Sequence, residues 1–380
     1  MSTPTAIPSA SKLLQPLRLG PTTLQHRIAM APLTRFRATD AHVPNNPLMA
    51  TYYAQRASVP GTLLITEATF ISPQAAGYAN VPGLWSQEQA EAWRPVTDAV
   101  HARGSAIFVQ LWALGRTAHP AEKEKFGLDV VGASAVPMAE GAPVPRELKE
   151  EEILQLIQDY ANAARNAVEI GGFDGVEIHG ANGYLVDQFT QTTSNHRTDR
   201  WGGSIENRAR FGTEVAKAVV AAVGADRVGI RLSPYGEFQG MRMPDPVPQF
   251  THLINNLKEL KLTYLHLVES RLSSSADAAT SELLDFGVHT WGNTSTVLLA
   301  GGYEAESARQ AVDEKWSDRD VVIVFGRHFI ANPDLPYRIQ KGLPLNRYNR
   351  KTFYTPKAAE GYTDYPFSAE WEAAREGPRL

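Results

Sequence analysis

The sequence predicts an α/β fold, a single (β/α)8 barrel of the TIM type, and two observations support that prediction. Short apolar segments rich in β-branched residues alternate eight times with segments of helical periodicity. Several of the apolar segments, such as residues 321–325, contain no polar residue, which is typical of parallel strands covered on both faces. Eight repeats of strand then helix favour a closed barrel, and an open doubly wound sheet is the alternative.

The individual elements follow from these two patterns. The predicted strands span residues 27–32, 62–68, 105–112, 173–179, 227–233, 262–269, 296–301 and 321–326. The predicted helices span residues 48–57, 87–102, 150–170, 205–223, 247–260, 276–284, 303–312 and 333–341. The helix at 150–170 opens with three acidic residues, which favour a helix N-terminus, and its apolar residues recur at helical spacing. Pro333 directly after Asn332 is likewise typical of a helix start.

Three segments are additional to the barrel, which we expect to cover about residues 27–343 as one domain. Residues 1–26 contain two short apolar runs separated by Gly20-Pro21, which predicts a hairpin across the bottom of the barrel. Residues 113–149 form a long excursion after the third strand, and such an excursion is usually a lid or a pocket wall. Residues 344–380 form a C-terminal extension.

The composition excludes several classes of protein. With 37 basic and 41 acidic residues the formal net charge is −4, so we expect neither a nucleic-acid partner nor attraction to anionic membranes. No apolar run approaches the ~18 residues of a membrane span. The absence of cysteine excludes disulfides and thiolate catalysis. The first ten residues lack a signal-peptide pattern, so we expect a cytoplasmic location. Pro378-Arg379-Leu380 resembles a peroxisomal tail weakly.

The fourth predicted strand ends in the most informative stretch of the chain, F-D-G-V-E-I-H-G-A-N-G-Y at 173–184. Catalytic residues of (β/α)8 barrels lie at the C-terminal ends of the strands. His179 and Asn182 both carry hydrogen-bond donors, and Tyr184 carries an acidic hydroxyl close by. Two donors that could hold one oxygen beside a proton source suit chemistry on a carbonyl compound.

Two glycine-rich turns predict a phosphate site. Gly301-Gly302 follows the seventh predicted strand and Gly326-Arg327 follows the eighth, which is the usual place for phosphate in these barrels. Glycine lets backbone N–H groups approach a phosphate, and an arginine adds a bidentate contact. The alternative is two ordinary left-handed turns and a surface arginine.

Polar side chains at other strand ends could surround a planar heterocycle. Thr34, Gln110 and Arg231 follow or end the first, third and fifth predicted strands. An arginine in the mouth of a barrel needs an anionic or polar partner. The alternative for Arg231 is therefore an ion pair with one of three acids, Glu67, Glu177 or Glu269.

Several catalytic patterns are missing from the sequence. No G-x-G-x-x-G follows a strand, and neither a phosphate-binding Walker loop nor a G-x-S-x-G elbow occurs. A nicotinamide cofactor would therefore lack a Rossmann domain of its own. No lysine occupies a strand end, which disfavours a Schiff-base aldolase, and the histidines show no metal-ligand spacing.

The chain resembles the flavin-dependent old yellow enzymes, or ene-reductases, from about Leu14 to about Pro366. The resemblance is carried by A-P-L-T-R (31–35), F-V-Q-L-W (108–112), H-G-A-N-G-Y-L (179–185), S-N-x-R-T-D-R-W-G-G-S-I-E-N-R (194–208) and G-R-x-F-I-A-N-P-D-L (326–335). Thr34 resembles the residue of the yeast, fungal and plant branch. We expect the 194–208 stretch to be structural.

This resemblance implies non-covalently bound FMN, with NADPH or NADH as hydride donor, and reduction of the C=C bond of an enone or enal. The residues implied to bind FMN are Pro32, Thr34, Ala68, Gln110, Arg231, Gly302, Gly326 and Arg327. The residues implied to meet the substrate are His179 and Asn182 on its oxygen, Tyr184 as proton donor, and Trp112 and Tyr354 as pocket walls. A monomer or a homodimer is expected.

Two alternatives stay open. One is a flavoenzyme of the same barrel that catalyses an isomerisation or ring closure in secondary metabolism, and such relatives typically lack the tyrosine proton donor. The other is a flavin-free barrel enzyme acting on a phosphorylated substrate.

Overall fold

A computed structural model describes residues 5–269, 272–273, 276–277 and 284–376. Its strands are β1 Leu17–Leu19, β2 Thr22–Leu24, β3 Ile28–Met30, β4 Leu63–Phe70, β5 Ala106–Trp112, β6 Val131–Gly132, β7 Arg146–Glu147, β8 Gly175–Gly180, β9 Val228–Leu232, β10 Tyr264–Val268, β11 Leu272–Ser273, β12 Ala276–Asp277, β13 Thr296–Ala300 and β14 Val321–Phe325.

The described helices are α1 Leu48–Arg56, α2 Gln87–His101, α3 Pro120–Glu124, α4 Glu150–Arg165, α5 Leu185–Thr190, α6 Ile205–Val223, α7 Pro246–Glu259, α8 Asp285–Trp291, α9 Ala305–Gln310, α10 Arg327–Ala331, α11 Leu335–Lys341 and α12 Ala369–Glu376. A π-helical turn extends α4 over Asn166–Ile170, and another extends α9 over Ala311–Lys315.

Eight parallel strands close into a barrel in the order β3, β4, β5, β8, β9, β10, β13 and β14, after which β14 pairs with β3. Helices cover the barrel outside, as in α4, which buries Ile153, Leu156 and Tyr160. This architecture confirms the predicted (β/α)8 fold and rules out an open sheet. None of the helices among the described residues is long and apolar enough to cross a membrane.

The interior of the barrel is divided into an apolar arc and a polar arc. The apolar arc is formed mainly by β3, β4, β13 and β14 through Ala29, Ala31, Leu63, Ile65, Leu298, Ala300, Val322 and Val324, and the same cluster also includes Ala106 and Phe108 of β5 and Tyr264 of β10. The polar arc lies on β5, β8, β9 and β10, where His179, Arg231 and His266 stand side by side in the strand register. Polar chemistry is therefore concentrated on one side of the barrel.

The predicted hairpin is confirmed, since β1 and β2 pair antiparallel. Leu17, Leu19 and Leu24 are buried in the same cluster as the apolar interior. Gly20 makes the turn with φ +52°, and a side chain there would collide with the carbonyl of Asp226, in the loop that leads into β9. The hairpin thus closes the N-terminal end of the barrel, opposite the strand ends that carry function.

The predicted helix at 276–284 is wrong at the residues of this range that the structure describes. Ala276–Asp277 belongs to a short antiparallel ladder with β11, and the helix in this region is α8, which begins at Asp285. The alanine-rich stretch carries large apolar residues only at its end, whereas Val288 and Trp291 of α8 are buried in the core. Residues 278–283 and the tripeptide 378–380 lie outside the described residues.

Candidate active site

A cavity of about 990 Å³ opens at the C-terminal ends of the barrel strands. The wall of this cavity contains ten of the candidate residues from the sequence analysis: Pro32, Thr34, Trp112, Asn182, Tyr184, Arg231, Gly302, Gly326, Arg327 and Tyr354. Ala68, Gln110 and His179 do not line it and are buried among the strand ends. Most of the candidate residues therefore meet around one space.

The turns after β13 and β14 are open towards this cavity. Gly302 has φ +71°, and a side chain placed on it would meet no atom within 4 Å. At Gly326 the nearest atom would lie at 3.6 Å, in the Leu33 side chain. Both turns line the cavity together with Arg327, whose guanidinium lies over the ring of Tyr348 at 5.5 Å. An anionic group could approach backbone and cation here at the same time.

His179 is held as a neutral hydrogen-bond donor. The backbone N–H of Ala181 donates to its Nδ1 at 3.3 Å, so the proton of the neutral ring is on Nε2. Burial lowers the pKa of His179 well below its ordinary value, and the nearby Arg231 and His266 lower it further. The ring packs against Trp112 and Tyr184.

The loop after β8 fixes Asn182 through its backbone. Asn182 has φ +59°, its N–H donates to Ser233 Oγ at 2.8 Å, and its carbonyl accepts from Gln239 Nε2 at 2.8 Å. The next N–H, of Gly183, donates to the buried Asp187 carboxylate at 2.9 Å. These contacts hold the backbone of Asn182 in place at the edge of the cavity.

Tyr184 stays protonated in this setting. Burial raises its pKa above the ordinary value, and the neighbouring Tyr78 raises it further. The residue precedes α5, and its ring stands edge-on against Trp112 with centroids 4.7 Å apart. Tyr184 can therefore offer a hydroxyl proton at the same wall of the cavity as Asn182.

A chain of buried polar groups runs through the polar arc. Gln110 Nε2 donates to Glu177 Oε1 at 2.7 Å, and His266 Nδ1 lies 2.7 Å from Glu177 Oε2. Arg231 Nε in turn donates to His266 Nε2 at 3.4 Å. Of the three acids considered for Arg231, the structure thus joins Glu177 to it, through a histidine. His266 was missed, although a lone histidine in an otherwise apolar strand, Y-L-H-L-V, was the available signal.

Aromatic rings form the outer wall of the cavity. Phe36 lies 5.6 Å from Tyr354 and 6.4 Å from Tyr78, measured between ring centroids. His119 and Glu122 of the 113–149 excursion also line the cavity. Phe36, Tyr78 and this part of the excursion were not predicted as individual site residues. The excursion nevertheless contributes a wall, as its position suggested.

Two buried arginines tie this wall to the C-terminal segment 349–362. Arg37 donates to the carbonyls of Thr352, Phe353, Ala358 and Glu360 at 2.9 to 3.0 Å. Arg35 donates to the carbonyls of Phe353 and Gly361. The segment that carries Tyr354 is therefore held against the loop after β3.

The lining of the cavity fits an FMN group in its chemistry. The two glycine turns leave space beside a cation, which suits a phosphate, and Thr34 and Arg231 supply polar atoms near the strand ends. Within the described residues, no cluster of three or more His, Asp or Glu side chains is placed to hold a metal ion.

Comparison with known proteins identifies the family. The model of the NADH:flavin oxidoreductase / NADH oxidase family matches residues 12–346. The chain therefore belongs to this family of FMN-dependent oxidoreductases, the old yellow enzyme family.

Individual relatives and a solved structure agree with that assignment. Chanoclavine-I aldehyde reductase fgaOx3 of Penicillium roqueforti is 58% identical over 96% of this chain and 99% of the relative. The probable inactive reductase easA of Epichloe festucae var. lolii is 53% identical over 96% and 97%. The crystal structure of old yellow enzyme from Pichia sp. AKU4542 superposes with a TM-score of 0.88 at 38% identity, covering 95% of each chain.

Proposed function

We propose that this protein reduces the C=C bond of α,β-unsaturated carbonyl compounds, with NADPH or NADH as the source of the hydride. The observation that carries the proposal is that Asn182 and Tyr184 line the cavity, with the ring of His179 packed directly behind Tyr184 at 4.9 Å. FMN, when bound, supplies reversible hydride acceptance and donation. Thr34, Arg231, Gly302, Gly326 and Arg327 would hold it, with its phosphate at the turns after β13 and β14.

His179 and Asn182 would bind the carbonyl oxygen of the substrate. A neutral imidazole with its proton on Nε2 and an amide N–H can donate to the same oxygen. Donors fixed in place before the reaction stabilise negative charge as it develops on that oxygen. This polarises the conjugated double bond and makes its far carbon electrophilic.

Tyr184 would deliver a proton to the carbon next to the carbonyl. Its raised pKa keeps the hydroxyl protonated at neutral pH, so the proton is available when the substrate acquires carbanion character. The reduced product gains one hydride and one proton in total. A single cavity for nicotinamide and substrate requires that they bind in turn, which is ping-pong kinetics.

An unsaturated aldehyde is the first substrate to test. The Penicillium relative at 58% identity is named for chanoclavine-I aldehyde, and the aromatic rings of Phe36, Tyr78 and Tyr354 suit a substrate with a large apolar body. The cytoplasmic location, the single domain over about 27–343 and the monomeric or dimeric state remain predictions.

A flavoenzyme with a different net reaction is the second candidate. The relative named as a probable inactive reductase shows that close similarity extends to proteins without assigned reductase activity. Tyr184 favours reduction here, because a reductase needs a proton donor at this position.

An anaerobic absorption spectrum would test the proposal directly. Flavin bands that bleach with NADPH and return with cyclohexenone or an unsaturated aldehyde are expected. Bands that bleach and stay bleached would favour the second candidate. Absence of flavin bands after incubation with FMN would refute the proposal and favour the flavin-free alternative.

A further inference from the structure

Glu177 and His266 lie below the cavity and touch none of it. Both side chains are fully buried, and neither lines the cavity. They are nevertheless joined by hydrogen bonds to Arg231, which does line it. A buried carboxylate requires a partner, and this carboxylate has two, Gln110 and His266. These hydrogen bonds therefore connect the buried negative charge of Glu177 to the cationic Arg231 at the cavity surface.

The hydrogen bonds define where the protons are. Arginine has no acceptor atom, so Nε2 of His266 must accept from Arg231 Nε. The proton of the ring is then on Nδ1, which donates to Glu177 Oε2. Burial lowers the pKa of His266 and keeps the ring neutral. This chain of hydrogen-bonded side chains thus contains one negative charge, on Glu177, and one positive charge, on Arg231.

Arg231 presents the rest of its guanidinium to the cavity. Its Nη groups make no hydrogen bond to any residue that the structure describes, whereas its Nε is engaged by His266. Electrostatic interactions are strong in such a poorly hydrated site. The field that Arg231 exerts in the cavity therefore depends on the compensating charge of Glu177.

We propose that Glu177 and His266 are positioning residues that orient Arg231 and balance its charge, and that they thereby set the reduction potential of the bound FMN. The inference rests on the proposed placement of Arg231 beside the cofactor. Two-electron reduction increases the electron density of FMN, so a more positive cavity stabilises the reduced form. The negative charge of Glu177 weakens this stabilisation of reduced FMN. Removing that charge would therefore raise the reduction potential of the bound FMN.

The test is Glu177→Gln, which keeps the shape of the side chain, removes its charge and replaces one of its two acceptor oxygens with an NH2 donor, which the Gln110 amide can accept once it turns over. The matched control is Asp334→Asn, because Asp334 is also a fully buried carboxylate paired with an arginine, Arg338 at 2.7 Å, and does not line the cavity. The midpoint potential of the bound FMN is measured by anaerobic equilibrium with a reference dye. A merely structural carboxylate would not change it.

We expect E177Q to favour the reduced over the oxidised cofactor at least tenfold more than the native protein does, and D334N to match the native protein. A tenfold change corresponds to about 30 mV for a two-electron couple. Equal potentials in native protein and E177Q, or equal shifts in E177Q and D334N, would overturn the inference. A native protein that binds no FMN would instead refute the proposed function.

A second variant covers the case in which E177Q does not fold. His266→Leu keeps both charges and removes the link between them, so Arg231 loses its acceptor. We expect FMN to bind at least tenfold more weakly to H266L than to D334N. Unchanged affinity in H266L, with the barrel intact by circular dichroism, would also overturn the inference.

Discussion

Trp112 and Tyr184 meet edge to face, with ring centroids 4.7 Å apart and ring planes at 89°. His179 packs against the same tyrosine at 4.9 Å. Because Trp112 is fully buried at the end of β5, the ring of Tyr184 cannot turn on that side without displacing core. The direction of the tyrosine hydroxyl is thus fixed by packing before any substrate enters.

Removal of that hydroxyl should separate the two halves of the reaction. Tyr184→Phe keeps the ring and its contact with Trp112, and loses the proton donor. We expect reduction of the enone or enal to slow by ~10²–10⁴, the usual contribution of a general acid. Reduction of the flavin by NADPH should stay at the native rate in anaerobic stopped-flow experiments. Equal slowing of both steps would contradict the role assigned to Tyr184.

Substitution of Asn182 should affect activity and stability separately, because its backbone adopts the left-handed conformation with φ +59°. Asn182→Ala and Asn182→Gly both remove the amide donor, and each should reduce kcat for the unsaturated substrate by ~10²–10³. Alanine in a left-handed conformation should additionally destabilise the fold by about 1–2 kcal/mol relative to glycine. Thermal unfolding measures the second effect. A glycine variant with native activity would show that the amide does not bind substrate.

Glu67 should make stability depend on pH in an unusual direction. Burial raises its pKa from 4.5 to about 7, against the opposing effect of Arg35. The folded protein therefore keeps a proton that the unfolded chain loses above pH 4.5, and stability falls as the pH rises through 7. Glu67→Gln should remove this loss, which is of order 3 kcal/mol between pH 5 and 8.

Denaturant unfolding at pH 5 and at pH 8 measures that difference. Glu152→Gln is the control, because Arg146 lowers the pKa of Glu152 to about 2 and the group does not titrate in this window. An identical pH dependence in native protein and E67Q would show that Glu67 is ionised in the folded state throughout.

Arg37 should hold the C-terminal wall of the cavity in place. Arg37→Lys keeps the charge but loses the planar fork that reaches four carbonyls of 352–360. We expect a loss of about 2–4 kcal/mol, since several buried carbonyls lose their donor, and faster hydrogen exchange in 349–362. KM for large substrates should rise because Tyr354 lies in this segment.

The surface substitution Arg309→Lys serves as the comparison for Arg37→Lys. Arg309 pairs with the largely exposed Glu306 and Glu314, so its loss should change stability by less than about 1 kcal/mol. If hydrogen exchange in residues 349–362 of R37K is as slow as in the native protein, Arg37 does not hold this segment in place.

The barrel could be predicted from the sequence because its signal is repeated eight times and several strands, such as β14, are apolar throughout. The cavity that forms the candidate site could be anticipated because its residues follow strand ends, as with Asn182 and Tyr184 after β8. What could not be predicted depends on partners distant in sequence. Gln110 was expected at the cavity, yet its amide turns to Glu177, 67 residues away. The prediction for 276–284 was wrong at its described residues because alanine-rich composition does not show which apolar face packs against a core.

The clamp formed by Arg35 and Arg37 also has a consequence for biosynthesis. Their acceptors are carbonyls located 315 to 326 residues further along the chain. During translation these two arginines leave the ribosome first, and they lack those partners until residues 352–361 have also been synthesised. The part of the outer wall that carries Tyr354 can thus be fixed only after all eight barrel strands have been synthesised.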